Sequence, residues 1–369
     1  METMEKMAQL FNPCGIFVSN GEVFIADTHN HRVRKVLRNG QIVTIAGNGT
    51  EGTNGDGQLA TNAQLYYPTS VVVSSLDQVY IVCGNCIRKI DSHGIISTIC
   101  GTGEKGFGGD GQLAVHAQLG YPEGLFVTDD EEVLIADSGN HCVRKIDRNG
   151  IISTIAGTGG KGGFNGDGQL ATSASLNNPT SVFQYEHEIY IADQYNQRIR
   201  KIDHNGMIST IAGTGKMVRN GDDPTDIGWP LSLFIHNDHV YFSDQAHRRI
   251  RKFLPNNGIV TTIAGTNKEA VGFNDMLATE TKLEAPRGIF IDNDLQIYIA
   301  DISGNCVWKI DQNGMMRRIV GTGDFGYSGD VPFDFKQYPH IGPRKKPLIK
   351  PFPHAYHDLI VICMEMCSI

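Results

Sequence analysis

The sequence predicts an all-β protein: a six-bladed β-propeller of four-stranded antiparallel blades, followed by an extended C-terminal tail. The prediction rests first on a segment that recurs along the chain. Its best copies begin at Ile42, Ile95 and Ile151, and each contains an apolar run, a glycine-rich loop with Gly-Asp-Gly and a closing proline. Degraded copies follow at Ile208–Pro230 and Val260–Pro286. Self-similarity at such a period is typical of repeat architectures.

The number of repeats follows from the proline that closes each copy. Successive prolines are 55, 54, 57, 51 and 56 residues apart, which gives six units. These prolines are Pro13, Pro68, Pro122, Pro179, Pro230 and Pro286. Because one small sheet cannot bury both of its faces alone, we expect neighbouring units to pack against each other in a closed ring.

Each unit contains four strand-like runs in the same order. In the first unit, Gly15–Val18 is the apolar first run, and Val23–Asp27 is a second run that ends in Ala-Asp. The third run carries Arg34–Lys35, and Asn39–Gly40 then forms a turn into the fourth. Since Asn-Gly between two strand-like runs predicts a tight hairpin, we expect antiparallel neighbours.

The two ends of the repeat region predict how the ring closes. Ala8–Pro13 matches the end of an inter-blade loop, Ala63–Pro68, whereas residues 319–330 match the beginning of one. We therefore expect both ends to form the sixth loop together, with no strand exchanged between the first and last blades. The resulting domains are a propeller over residues 1–330 and a proline-rich tail over residues 331–369.

Composition narrows the classes of partner. The chain of 369 residues has a formal net charge of −8, which argues against DNA and disfavours RNA. No apolar run approaches the roughly 20 residues of a membrane helix, and the start shows no signal-peptide pattern. The 8 cysteines show no disulfide framework, so we expect reduced, mostly buried thiols. This favours a cytoplasmic protein, or an extracellular one if the chain is a fragment of a longer protein.

The end of the second run, together with the third run, resembles a known repeat. The segment Ile25–Lys35, IADTHNHRVRK, resembles the NHL repeat, and Asn30–His31 and Asn140–His141 fit its core most closely. The GTGxxGxxGDGxxA loops resemble those of teneurin-type NHL domains. The resemblance covers about residues 7–330 and implies a six-bladed NHL propeller. It implies no single function, because NHL propellers bind proteins, RNA or small ligands, and one relative is a metal-dependent amidating lyase.

Three kinds of motif in the loops suggest chemistry, and each has a simpler structural interpretation. Gly101–Gly106 matches the dinucleotide pattern GxGxxG, but no long helix follows it in a βαβ unit, so we expect a plain loop and no cofactor. Asp56, Asp110 and Asp167 hint at calcium loops but lack the alternating carboxylates and terminal glutamate of one. We expect these aspartates to cap the helical turn that follows. The aspartate that ends five of the six second strands should bond backbone or a nearby arginine.

A metal-dependent lyase or hydrolase would need histidines on the innermost strands, converging from several blades. His236 is the only histidine near such a run, and the sequence shows no nucleophile–base set or paired acid. We therefore expect no catalytic residues and no metal site, and we keep the lyase or hydrolase as an alternative.

Residues that break the repeat symmetry are better candidates for binding. The long inter-blade loops and the turns after the second strands must share one face of the ring, here called the long-loop face. Its candidate partner-binding residues are Phe107, Phe164, Lys216, Arg219, Trp229, Phe273, Arg248 and Arg249. We expect a monomeric, non-enzymatic scaffold that presents this face to a protein, peptide or glycan. An RNA-binding NHL propeller is the other alternative, and it would need a continuous basic patch with aromatic side chains.

Overall fold

The computed structural model describes residues 8–216, 225–266 and 275–331. These residues form six antiparallel sheets, each containing four consecutive strands, which confirms the six-bladed β-propeller. The expected proline-rich tail, 331–369, lies outside the described residues except for Val331. No helix in the described part of the chain is long and apolar enough to span a membrane.

The strands follow the order expected from the repeats. Blade 1 contains β1 (Pro13–Ser19), β2 (Glu22–Asp27), β3 (Arg32–Val36) and β4 (Ile42–Ala46). Blade 2 contains β5 (Pro68–Val73), β6 (Val79–Cys83), β7 (Cys86–Ile90) and β8 (Ile96–Cys100). Blade 3 contains β9 (Gly124–Val127), β10 (Val133–Asp137), β11 (Cys142–Ile146) and β12 (Ile152–Ala156).

The other three blades repeat this order, two of them with a short extra strand. Blade 4 contains β13 (Gln169–Leu170), β14 (Pro179–Tyr185), β15 (Glu188–Asp193), β16 (Arg198–Ile202) and β17 (Met207–Ala212). Blade 5 contains β18 (Pro230–His236), β19 (His239–Asp244), β20 (Arg249–Phe253) and β21 (Thr261–Ala264). Blade 6 contains β22 (Met276–Leu277), β23 (Pro286–Ile291), β24 (Ile297–Asp301), β25 (Cys306–Ile310) and β26 (Met315–Val320).

The extra strands come from the inter-blade loops. β13 pairs with β17, and β22 pairs with β26, so each loop segment covers the outer edge of the blade that follows it. Isolated bridges Leu59–Ile95 and Leu113–Ile151 place the corresponding loops in the same way. Covering an outer edge removes a row of free backbone groups on which another chain could pair.

All helical structure consists of single 3-10 turns within the described ranges. Three follow second strands, at Thr28–Asn30, Ser138–Asn140 and Gln194–Asn196. Four lie in inter-blade loops, at Ala60–Asn62, Ala114–His116, Ala171–Ser173 and Ala278–Glu280. The first group reverses the chain at the long-loop face, and the second directs each loop back toward the next first strand.

The ring closes as the sequence predicts. The six first strands contact one another in sequence, and β1 also contacts β23 of blade 6. Leu10 pairs in parallel with Phe325, and Ile42 pairs with Asp330. The two ends of the repeat region therefore make the sixth inter-blade loop together, and each blade keeps its own four strands.

The core is divided among the interfaces between blades. Six clusters of buried apolar side chains occupy the six interfaces. The cluster between blades 1 and 2, for example, joins Phe24 and Val33 to Val71 and Ile81. Each blade is thus buried on both faces by its neighbours, which makes the ring a rigid support for the loops.

Candidate binding face and central channel

A buried carboxylate ends most second strands and organises the long-loop face. In blade 3, Asp137 accepts hydrogen bonds from Gly120 N at 2.7 Å and Asn140 Nδ2 at 2.8 Å. It also pairs with the fully buried guanidinium of Arg144, at 3.4 Å from Nη1 to Oδ2. Asp27 and Asp193 repeat the arrangement. This confirms the expectation that the aspartate bonds backbone and a nearby arginine.

The aspartates of the Gly-Asp-Gly loops correct a prediction. Asp110 Oδ1 accepts a hydrogen bond from Nη2 of the buried Arg144 at 2.7 Å, instead of capping the next turn. The described 3-10 turns have no side-chain cap of this kind. Corresponding pairs are Asp56–Arg88, Asp167–Arg200 and Asp330–Arg34. A charged guanidinium is a stronger donor than a backbone amide, so the carboxylate turns toward it and ties the loop to the following blade.

Blade 5 replaces the usual asparagine by His247. The imidazole is buried, with Nδ1 at 2.8 Å from Asp244 Oδ2 and Nε2 at 3.6 Å from Asp226 Oδ2. Burial by itself opposes ionisation of Asp244, but the His247 hydrogen bond and charge, with Arg251, hold the pKa of Asp244 below its usual value. In blades 1, 3 and 4, where asparagine occupies this position, burial instead raises the pKa of Asp27, Asp137 and Asp193, the last to about 6.

His247→Asn should change how stability depends on pH. In the native protein the lowered pKa of Asp244 gives stability that is present above its unfolded pKa and lost as pH falls through the folded value. In the variant we expect a raised pKa, whose stabilisation is present below the unfolded pKa and lost as pH rises toward about 6, as for Asp193. Urea unfolding should therefore show that the variant has a lower free energy of unfolding than the native protein. This difference should grow as pH rises from the unfolded pKa of Asp244 to about 6. A constant deficit would contradict the assignment.

Phe107 lies over the buried Arg144, and Phe164 lies over the buried Arg200 and the partly exposed Arg198. The Arg144 guanidinium carbon is 5.1 Å from the Phe107 ring centre, and those of Arg198 and Arg200 are 3.9 and 4.9 Å from Phe164. Tyr327 covers Arg32 and Arg34 in the same way. Phe107 and Phe164 stay 43% and 40% exposed, so each shields an arginine on one side and faces solvent on the other.

The other candidate residues differ in accessibility. Trp229 is 37% exposed and stands edge-on to Tyr195, with ring centres 6.4 Å apart. Lys216 is exposed, and Arg248 pairs with Glu284 at 3.6 Å on the surface. Arg249 is buried and offers a partner little surface. Arg219 and Phe273 lie outside the described residues.

The structure reveals an aromatic patch that the sequence analysis missed. We define it as Phe11, His29, Tyr66, Tyr67 and Phe325. Their rings form a chain with centre distances of 5.2 Å (Phe325–Phe11), 4.8 Å (Phe11–His29), 5.3 Å (His29–Tyr67) and 5.0 Å (Tyr67–Tyr66). Phe325 is 69% exposed. Burial, with the charge of His31 as a smaller cause, lowers the pKa of His29, which favours the neutral ring.

A signal for this patch was present in the repeat alignment. The residue before each closing proline changes from unit to unit, and in three units it is aromatic: Tyr67, Tyr121 and Trp229. By the criterion of broken symmetry, this position is as good a candidate for binding as the loop tips. What the sequence did not show is that Phe325 and Phe11, about 310 residues apart, meet beside Tyr67 when the ring closes.

A central channel runs between the six first strands and holds a cavity of about 270 Å³. At its long-loop end, Glu123 of blade 3 and Arg287 of the opposite blade 6 form an ion pair, 2.6 Å from Oε2 to Nη2. Five phenylalanines from successive first strands line the other end. They are Phe17, Phe126, Phe183, Phe234 and Phe290. Within residues 8–216, 225–266 and 275–331, no cluster of three or more His, Cys, Asp and Glu is placed to hold a metal.

The thiols of the described cysteines are buried and free. Burial raises the pKa of Cys83 to about 11 and that of Cys100 to about 12. Because only thiolates react readily, we expect iodoacetamide at pH near 8 to label these thiols very slowly in the folded protein. After unfolding without reductant, labelling should reach 8 thiols per chain. A stable count of 6 or fewer would show a disulfide and contradict a reducing compartment.

Comparison with known proteins agrees with this architecture. Residues 49–107 match the teneurin NHL domain model, and residues 12–36 and 119–146 match the NHL repeat model. The chain carries NHL repeats. It is 27% identical over 305 residues to Protein SUPPRESSOR OF QUENCHING 1, chloroplastic, of Arabidopsis thaliana, covering 79% of this chain and 24% of that protein. It is 28% identical over 286 residues to mouse Teneurin-4, covering 66% of this chain and 10% of that protein.

The chain therefore spans a quarter or less of the length of these two relatives. Among solved structures, a gluconolactonase from Xanthomonas campestris superimposes with a TM-score of 0.55 at 12% identity, covering 85% of this chain and 88% of that one. At this identity the similarity shows a shared propeller fold, and it assigns no activity to this chain.

Proposed function

We propose that this NHL propeller is a non-enzymatic binding scaffold whose long-loop face holds a protein or peptide partner. The observation that carries the proposal is the aromatic patch. Large, rigid aromatic side chains bury much area at low entropic cost, which makes them frequent anchors of protein interfaces. Here two blades and both ends of the repeat region contribute such residues to one continuous surface.

The charges around the patch support a protein partner over a nucleic acid. Several basic side chains of the long-loop face already have partners within it. Arg32 donates to Asn30 O and Asn48 O, Arg198 donates to Asn196 O and Thr214 O, and Arg248 pairs with Glu284. Glu284 therefore offsets the charge of Arg248, and the donors of Arg32 and Arg198 are partly used within the face and not free for phosphates.

The channel also supports a scaffold over an enzyme. Its two charged side chains, Glu123 and Arg287, neutralise each other. The hydroxyl of Thr180 donates to Pro230 O, and that of Ser181 accepts from Leu233 N, so both hold neighbouring first strands together. These contacts give the polar residues of the channel a structural use.

Loss of two aromatic side chains of the patch should weaken binding of the partner and leave the fold intact. We expect Phe325→Ala with Tyr67→Ala to reduce capture of a protein partner by immobilised chain at least about 30-fold, since each of the two anchors is worth roughly 1–3 kcal/mol and 1.4 kcal/mol is a factor of ten. The matched control is Leu76→Ala, another exposed apolar residue, in the first turn of blade 2 on the opposite face. Equal capture by the patch variant and the wild type would contradict the proposal.

The same experiment separates the alternatives. Loss of the captured partner after nuclease treatment would favour an RNA-binding propeller, and loss after glycosidase treatment would favour a glycan. Phe107→Ala with Phe164→Ala tests the loop tips, but these rings also cover buried arginines. Their thermal stability must therefore be measured beside their binding.

A further inference from the structure

We propose that the central channel binds a small monocarboxylate with one apolar group, its carboxylate held by Arg287 and its apolar group packed on the phenylalanine ring. The phenylalanine ring here means the circle of five side chains around the channel, and not a single aromatic ring: Phe17, Phe126, Phe183, Phe234 and Phe290. This site is separate from the aromatic patch, and the ligand is a small molecule, so the inference does not depend on the proposed protein partner.

The first support is the state of Arg287. Its Nη2 donates to Glu123 Oε2, and the structure shows no other hydrogen bond from this guanidinium to the described residues. The side chains of Arg287 and Glu123 are 23% and 26% exposed, and both line the cavity. A guanidinium offers five donors in a planar fork that matches a carboxylate in two-point contact. One monodentate pair leaves most of this fork unused.

The second support is the chemistry along the channel. The neighbours of Arg287 at the starts of the other first strands are neutral except for Glu123: Cys14, Thr69, Thr180 and Leu231. The next layer toward the phenylalanine ring contains only glycine and serine. Its small side chains follow from the closeness of the first strands, since a Cβ on Gly288 would lie 2.3 Å from Cys14 O. This layer keeps the channel open between a charged end and an apolar end.

The third support is the match in size. Arg287 and Phe290 are three residues apart on β23, which places the two ends about 10 Å from each other along the strand. The cavity of about 270 Å³ exceeds the roughly 150 Å³ in which a protein interior holds benzene. A phenyl group on the phenylalanine ring with a short chain to a carboxylate spans the distance. Neighbouring phenyl groups at this end of the channel are already tilted against each other, with centres 4.7 to 5.2 Å apart. This arrangement suits the addition of one more aromatic group.

Glu123 then acts as an internal competitor. Its carboxylate already pairs with Arg287, so a ligand carboxylate that takes the unused donors meets this negative charge and competes with it for the guanidinium. Glu123→Gln removes the competing charge and frees the guanidinium, whereas Arg287→Gln removes the anchor. The two variants therefore change affinity in opposite directions, which a purely structural ion pair would not do.

The test uses the full chain and isothermal titration calorimetry with 3-phenylpropionate. We expect saturable binding that is about tenfold tighter in Glu123→Gln and at least about tenfold weaker in Arg287→Gln. Two matched probes each lack one feature of the acid: 3-phenylpropan-1-ol has no carboxylate, and acetate has no apolar group. Both should bind more weakly than the acid.

Three results would overturn the inference. The first is no saturation by the acid up to about 10 mM in both wild type and Glu123→Gln. The second is an alcohol that binds as tightly as the acid, and the third is an unchanged affinity in a folded Arg287→Gln. If Arg287→Gln fails to fold, Glu123→Gln decides, because equal or weaker binding there contradicts the anchor.

Discussion

Arg144→Met should destabilise the propeller by about 3–5 kcal/mol, among the largest effects of any single substitution here. Arg144 is fully buried between Asp137 of its own blade and Asp110 of the preceding loop. Methionine fills much of the volume but leaves the buried Asp137 without its counter-charge. The free energy of unfolding in urea measures the loss.

Two controls make this result specific. Arg148→Met removes an exposed ion pair with Asp130, whose side chains are 62% and 69% exposed, and should cost less than about 1 kcal/mol. Adding Asp137→Asn to Arg144→Met should recover part of the loss, because the unpaired charge disappears while Asn keeps an acceptor for Gly120 N. A loss below about 1 kcal/mol in Arg144→Met would show that the buried pair contributes little.

Gly47→Ala should cost at least about 3 kcal/mol, from backbone strain and overpacking together. Gly47 follows the last strand of blade 1 at φ +88°, and an added Cβ would lie 2.2 Å from His31 O and 3.0 Å from Arg32 Cα. Both contacts are with backbone, so no side chain can move aside. The same clash recurs after the other fourth strands, at Gly101, Gly157, Gly213, Gly265 and Gly321.

Gly40→Ala separates the two causes. Gly40 has nearly the same φ, +84°, but nothing lies within 4 Å of an added Cβ. This variant should lose only the left-handed strain, about 1–2 kcal/mol. Equal losses in both variants would mean that φ alone, and not the close approach of the turn after β2, requires glycine at position 47.

The sequence predicted the ring because its information is local and repeated. Alternating strand runs, Asn-Gly turns and six evenly spaced prolines each specify a neighbouring contact, and six copies of one unit leave little freedom in how they pack. The expectation that Asp137 bonds backbone and arginine followed in the same way, since a buried carboxylate needs partners and Arg144 stands seven residues away.

Contacts between distant residues had to come from the tertiary structure. The sequence assigned Asp110 to the next turn, but folding brings it to Arg144 of the following blade. In the same way, only ring closure brings Phe325 to Phe11 and joins Glu123 to Arg287 across the channel. The repeats determine the sheet, the blade count and the residues inside each interface. The curvature of the closed ring decides which loop side chains meet at the face and in the channel. The periodicity of the sequence does not specify these contacts.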